Sequence, residues 1–486
     1  MQLIDWEKPQ RQPIAGLVIV FLKTLGEFLK RLWPFILLFL FRDKPEESRN
    51  IDKYEWLAIL ATVFAFLYGV MQYVYFRFYI IHNELIIKKG WLKKQTIVIP
   101  LRNIHTVQIE ANFLHQLLGV VKLRAETAGS DKTEVKIDAL KREMADALRM
   151  QLQQHESAEH SDIQESGATK PVLALNDKDL LKLSLSANHV ETFFLLLSFG
   201  FGIYDNLNTV NIGIVSSTER FLPKETLLIV FLISATLLFT ILISTARIFL
   251  KFYGFRLSRV AQGFHIRTGL INKKEHAVTF RKIQAVAWKT NWIRRYFGFW
   301  MLEYRIAGGN EVGGKMRVQV PVTHTGYLPG LINAYHPMPD DLPANPVHMH
   351  LSIIGLRMLI TGMISVLLIL VSWHWWEFAS LVFLLLPLYT AFYAFLQQRK
   401  FRMWVMVDSI CLMRGAYGTE MALLQWNKIQ AISLKQSSFQ RKRSLATLVL
   451  YTASDNFTIR FIPLPAAQAI MNYGLYKIES SREGWM

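Results

Sequence analysis

Three groups of residues in this 486-residue chain have types and spacings that chemistry could use. Gly309-Asn-Glu-Val-Gly-Gly314-Lys315 has the G-x-x-x-x-G-K spacing with which a glycine-rich loop cradles phosphates. The next residue is Met316, not the Ser or Thr that holds magnesium, and the segment joins two strand patterns instead of opening a helix. It reads as a glycine-rich hairpin turn. His336, His348 and His350 could ligate a metal, but they stand in the proline-spaced stretch HPMPDDLPANPVHMH with no carboxylate or thiol ligand in register, so a mobile, solvated linker is expected. Cys411 is the only cysteine. It excludes an intrachain disulfide and, inside a strand pattern, reads as an inert thiol. Neither H-E-x-x-H nor G-x-S-x-G nor a paired-carboxylate arrangement occurs. The expectation is a non-enzyme with no cofactor and no metal site.

Basic clusters are the remaining candidates: Lys88, Lys89, Lys93 and Lys94; Arg281 and Lys282 with Arg294 and Arg295; and Arg441, Lys442 and Arg443. Beside an anionic leaflet each Lys or Arg adds about 1 kcal/mol of attraction, so contact with lipid headgroups stands against a merely solvated rim. Aromatic residues do not interleave with the basic ones, and nucleic acid is not expected.

The elements that must position these groups are set by an unusual composition. Hydrophobic residues make up 52% of the chain, yet the formal net charge is +18. Such a chain combines membrane segments with soluble parts that face anionic surfaces. Six apolar segments pair into three hairpins: 14–41 with 56–76, 184–203 with 226–250, and 354–374 with 376–396. Each is close to the ~20 residues that cross a bilayer core as a helix. Lys23, Glu27, Lys30 and Arg31 share one helical face of the first segment, which therefore either spans with that face on a partner or cavity, or lies in the interface. The hairpin loops 42–55, 204–225 and 374–377 carry 4, 2 and 0 basic against 5, 3 and 1 acidic residues, −1 each. Residues 77–182 carry 16 and 14 (+2), 251–350 carry 14 and 5 (+9), and 397–486 carry 12 and 5 (+7). The positive-inside rule then places both termini and the three long segments in the cytoplasm.

Those long segments are copies of one another. Aligned on Ile104, Ile283 and Ile429, they share Gly90, Gly269 and Gly415 upstream and Gly119, Gly298 and Ser444 downstream. They end their penultimate strands with Thr127-Ala-Gly129, Ile306-Ala-Gly308 and Thr452-Ala-Ser454. Three copies in one register over about 40 residues make an internal repeat. Within it, short alternating runs such as FRFYIIHN, ELIIKKG and QTIVIPL read as strands, and helix patterns close the copies at 141–152, 324–335 and 466–478.

The pattern of a strand, basic-x-I-x-x-V, L-x-R-x-x-G and a strand ending T-A-G resembles the bacterial pleckstrin-homology-like domain of membrane proteins, in the form with three such domains, each after a transmembrane hairpin. Arg295 matches the L-x-R-x-x-G arginine, copy one has Gln116 there, and copy three replaces the glycine by Ser444. The resemblance implies a polytopic α-helical membrane protein with three cytoplasmic PH-like β domains, each a bent seven-stranded sheet or barrel capped by a C-terminal helix. The domains are hairpin 14–76, PH-like 77–152, polar linker 153–183, hairpin 184–250, PH-like 251–335, proline-rich linker 336–353, hairpin 354–396 and PH-like 397–486. It also implies a multi-pass protein of the bacterial plasma membrane, acting as a binding and assembly platform in the envelope. Its partners would be the anionic inner leaflet, a smaller membrane protein bearing one PH-like domain, and possible further copies in an oligomer. The alternative is transport of a lipid or amphiphile along the charged face of the first segment. A reporter fused after Met486 or within 153–172 is expected on the cytoplasmic side and one within 204–225 outside; two β domains on opposite sides would end the six-span reading.

Overall fold

The computed structural model describes residues 5–40, 63–64, 66–91, 93–101, 104–127, 134–157, 171–198, 225–260, 263–311, 314–322, 324–339 and 342–480. They form two compact units, Met1–Val172 with Ser258–Val278, and Leu173–Leu257 with Thr279–Met486.

The first repeat follows helix α1 (Ala15–Leu40) with a meander of β1 (Arg77–Ile81), β2 (Glu84–Lys89) and β3 (Gln95–Pro100). The loop His82-Asn83 has positive φ at both residues, 49° and 61°, which carries strand twist through a two-residue hairpin. The second turn depends on Gly90, where a Cβ would lie 2.2 Å from the Lys93 carbonyl oxygen; at the equivalent Gly269 it would lie 2.1 Å from that of Asn272. A second meander, β4 (Ile104–Ala111), β5 (Val120–Thr127) and β6 (Glu134–Lys141), carries the short helix α2 (Phe113–Leu117) and ends in α3 (Arg142–Ser157). Phe78, Leu85 and Ile99 from one meander meet Ile109, Leu123 and Ile137 from the other, sealed by Ala145, Leu148 and Leu152 of α3. Full burial of each such side chain contributes about 1.5–3 kcal/mol.

The second repeat contains β7 (Leu173–Ala174), α4 (Asp177–Leu185), α5 (Val190–Ser198), α6 (Glu225–Phe252), β8 (Arg256–Val260), β9 (Gly263–Thr268) and β10 (Lys273–Thr279). It continues with β11 (Ile283–Thr290), α7 (Trp292–Tyr296), β12 (Trp300–Glu311), β13 (Gly314–Val322) and α8 (Tyr327–Asn333). The third contains α9 (Ser352–Trp376), α10 (Leu385–Lys400), β14 (Arg402–Val405), β15 (Ser409–Arg414) and β16 (Thr419–Gln425). Its second half is β17 (Ile429–Lys435), α11 (Ser438–Arg441), β18 (Leu445–Thr452), β19 (Asn456–Pro463) and α12 (Leu464–Ser480). The tetrapeptide Lys-Ile-Gln-Ala, present at 282–285 and 428–431, has a local meaning: strands β4, β11 and β17 each carry a bulge between the first and third residue, at Ile104/Thr106, Ile283/Ala285 and Ile429/Ala431. The glutamine of the tetrapeptide is the extra residue that bends the strand.

Three expectations change. Each repeat has six full strands among the described residues, in two meanders of three, instead of seven in one sheet. A short bridge from ahead of the membrane hairpin is added at one position of the first strand: Gln10↔Phe78, Leu173↔Leu257 and Val347↔Met403. The proline-rich linker is accordingly held at its C-terminal part, with Val347 and Met349 packed on the third core and the His350 amide donating to the Phe461 carbonyl at 2.7 Å. Finally, α6, α9 and the segment Glu377–Lys400, a 3-10 stretch that α10 continues, are long and apolar enough to cross a membrane, while the described part of 184–203 is not one helix: α4 and α5 meet at a 63° bend. Of the hairpin residues, 41–62 and 199–224 lie outside the described set, as do 158–170 of the polar linker. Helices α9 and α10 are tied by Arg357 Nη1 donating to Gln397 Oε1 at 2.7 Å and by the Thr361 and Thr390 hydroxyls at 2.8 Å.

Gly119, Gly298 and Ser444 occupy one repeat position with φ of 65°, 70° and 51°. The left-handed region costs a side chain about 1–2 kcal/mol, partly offset by the greater chain freedom of glycine when unfolded. Ser444→Gly should raise the thermal midpoint of detergent-solubilised protein and Gly298→Ser lower it, each by roughly 1 kcal/mol of stability. Gly269→Ala should cost more than either, and equal effects would remove the steric explanation.

Candidate functional site

The sheets do not end where the repeats end. In the first unit, β4 of repeat one pairs antiparallel with β10 of repeat two, Lys273↔Ala111, Lys274↔Glu110 and Glu275↔Ile109, giving the order β6-β5-β4-β10-β9-β8. In the second unit, β11 of repeat two pairs with β16 of repeat three, from Ala285↔Leu424 to Thr290↔Thr419, giving β13-β12-β11-β16-β15-β14. The repeats are offset by 179 residues (Ile104 to Ile283) and 146 residues (Ile283 to Ile429). Adding these offsets to Ala111 and Lys273 gives Thr290 and Thr419, a pair present in the second junction. Strand four of one repeat therefore takes strand three of the next, twice, in one register.

Charge follows the same positions. Glu110 faces Lys274 in the first junction, 3.8 Å apart, and Lys289 faces Glu420 in the second with the signs exchanged. Opposite charges directly across a sheet contribute about 0.2–1 kcal/mol. Around the first junction Arg142 Nη2 meets Glu275 Oε2 at 2.7 Å and Arg267 Nε meets Oε1 at 3.3 Å. Burial alone would push Glu275 up, but the hydrogen bond and charge of Arg142 outweigh it and hold the carboxyl below the ordinary glutamate range. Gln116 Nε2 donates to the carbonyls of Leu270 (3.0 Å) and Ile271 (2.8 Å) in the β9–β10 turn. A cleft of about 360 Å³ lies beside these groups, lined by His115, Gln116, Arg142, Lys273 and Glu275.

The second junction encloses a larger network. Arg305, 4% exposed, donates to Asp455 at 3.1 Å and Glu420 at 3.0 Å. Arg317 also reaches Asp455 (2.9 Å), Arg414 reaches Glu420 (2.7 Å), and the Arg305 guanidinium lies 4.8 Å from the Phe457 ring centroid. Glu420 is held low against its burial by Arg414 first and Arg305 next. Ala285 and Ala287 of β11 enter the apolar core of repeat three, with Met403, Leu424 and Phe457.

The basic clusters divide. Lys88, Lys89, Lys93 and Lys94 are exposed at the β2–β3 turn, and Arg281, Arg295, Arg441 and Lys442 are also exposed, with Lys282 half-buried. Arg294 is half-buried against the second repeat, its Nε 3.4 Å from Ser186 Oγ, and burial pushes its guanidinium down. Arg443 donates to Ser352 Oγ at 2.7 Å and stacks over Phe439. On α1, Lys23 Nζ bonds Asp138 Oδ2 of β6 at 2.8 Å, and Ile19 packs with Val120 and Ala139. Glu27 and Lys30 are exposed, and the Arg31 side chain lies outside the described set. Gly309–Lys315 is the β12–β13 hairpin, with Asn310↔Lys315 and Glu311↔Gly314 paired. His336 Nδ1 lies 3.0 Å from Gln425 Nε2, His350 Nδ1 lies 2.7 Å from Ser352 Oγ, and burial pushes the Cys411 thiol up to about 12. Reading the sequence missed the junction residues Glu110, Lys274, Lys289, Glu420 and Arg305; the exchanged signs at one repeat position were the available signal.

Arg305→Met leaves two carboxylates without their shared buried partner and should lower stability by roughly 3 kcal/mol, read as a thermal midpoint. Glu275 and Glu420 have folded values below their unfolded ones, so their contribution is full at neutral pH and is lost as pH falls from the ordinary glutamate range through the depressed values. Glu420→Gln should flatten the midpoint over that acid range; an unchanged slope would separate the network from stability.

The family model described as "Bacterial PH domain" matches residues 20–156, 209–326 and 351–477. The chain is also 22% identical to the "UPF0699 transmembrane protein YdbT" of Bacillus subtilis (strain 168) over 500 aligned positions, covering 97% of this chain and 99% of that one. Matched in the three places where the structure repeats its paired meanders, this chain belongs to the bacterial PH-domain family, as a membrane protein that carries the domain three times.

Proposed function

We propose that the chain is a non-enzymatic, membrane-anchored binding and assembly platform, with its three PH-like domains on the cytoplasmic side of a bacterial plasma membrane. The observation that carries this reading is the twice-used junction: β domains that join by backbone pairing in one register are built to add further domains of the same kind. A smaller membrane protein with one PH-like domain fits such a surface. Anionic headgroups fit the exposed Arg441 and Lys442 and the exposed lysines of the β2–β3 turn, since tethering beside the leaflet gives even weak contacts a high effective concentration.

The transport alternative rests on the charged face of α1, on which Lys23 is bonded to Asp138. Purification of the tagged full chain from native membranes should retain a PH-like partner or a defined oligomer, together with anionic lipid. Arg441→Ala with Lys442→Ala should reduce the retained lipid, more so at raised salt because screening acts within about 8 Å at physiological ionic strength. A monodisperse monomer that keeps neither protein nor lipid would overturn the platform.

A further inference from the structure

Among the sheet edges of the described residues, two are of complementary kinds. Strand β3 has β2 as its one sheet neighbour and β17 has β18. In repeat register β3 is equivalent to β10 and β16, and β17 to β4 and β11, the four strands that the internal junctions consume. We propose that β17 of one chain pairs with β3 of a second copy in the register of the internal junctions, so that copies join head to tail. This rests on the platform reading and names its contact.

The register is fixed by arithmetic. Moving β11 forward by 146 and β16 back by 325 (146 plus 179) turns Thr290↔Thr419 into Gln436↔Lys94, Lys289↔Glu420 into Lys435↔Gln95, and Ala285↔Leu424 into Ala431↔Ile99. The edges are free to receive one another: Gln95, Thr96 and Val98 are exposed on β3, as are Gln430, Ala431 and Lys435 on β17. Lysines and a proline commonly blunt a sheet edge, and β3 has Lys93, Lys94 and Pro100. Yet β10 carries Lys273 at the position of Lys94 and is paired, so lysine there does not prevent pairing in this fold.

The occupant is argued from the same correspondence. At the position where the internal junctions place Glu with Lys, a second copy places Gln95 against Lys435, a pair without repulsion. A second copy supplies both kinds of edge, closing a ring or extending a row according to the rotation.

The test uses full-length protein in native membranes, oxidised with copper phenanthroline. Lys435→Cys and Gln95→Cys are exposed edge changes, and an intrachain control is supplied by Glu110→Cys with Lys274→Cys. Mixing two differently tagged chains, one with Lys435→Cys and one with Gln95→Cys, should give a disulfide-linked product of twice the chain mass that neither variant forms alone. Gln95→Glu, by restoring the charge pair of the internal junctions, should tighten self-association up to about fivefold, and Lys435→Glu added to it should reverse the gain. No 435–95 product while the control closes, a product only with the offset pair Lys435→Cys and Ile97→Cys, or capture of a different chain at 435 would overturn the proposal. If a partner or oligomer is retained on purification while 435–95 stays unlinked, the platform stands and this edge assignment falls.

Discussion

A β-strand at the margin of a sheet carries a row of backbone donors and acceptors that must find partners or stay in water. The repeat in this protein is built from two three-stranded meanders, and each has such a margin. The chain answers by giving the fourth strand of each repeat to the third strand of the next. Opposed charges at Glu110–Lys274 and Lys289–Glu420 stand on that pairing, while the bulge at Gln284 and its counterparts shapes the neighbouring pair within each repeat. Side-chain packing then follows backbone pairing: Ala285 and Ala287 of repeat two can enter the third core only because β11 lies beside β16.

The distribution of charge looks different from this standpoint. A formal net charge of +18 suggests a broadly basic surface, but several cations are used inside the protein. Arg305 links two carboxylates from the next repeat, Arg443 holds the start of α9, and Lys23 ties α1 to β6. Exposed cations remain on strands, among them Arg77, Arg256, Arg267, Lys435 and Arg460, as well as at the β2–β3 turn and beside α11.

Much of the fold was legible in the sequence because its signals are local. Gly90 and Gly269 mark turns that only glycine fits, and alternation marked the strands they join. The triplicated spacing around Ile104, Ile283 and Ile429 disclosed three modules without any structure. The edge pairing was not legible, because a strand's pattern records which face is buried and not which strand lies beside it. Arg305 read as an ordinary strand residue, since its partners Asp455 and Glu420 lie more than a hundred positions away. The break between α4 and α5 falls at the polar Ser186-Ala-Asn-His189, ahead of the apolar run that suggested a span, and the fixed linker was hidden by its prolines, which fit both a free tether and a strap held at Val347.

Splitting the second repeat between two sheets has a consequence for how such a chain can change over generations. Every repeat brings one donor edge and one acceptor edge, and neighbours cancel them in pairs. Recombination that removed a whole repeat, or inserted another, would leave the same two margins unmatched at the ends and none in between. Repeat number is therefore a quantity that this architecture conserves nothing against: chains with different counts could share identical termini and meet one another as equals.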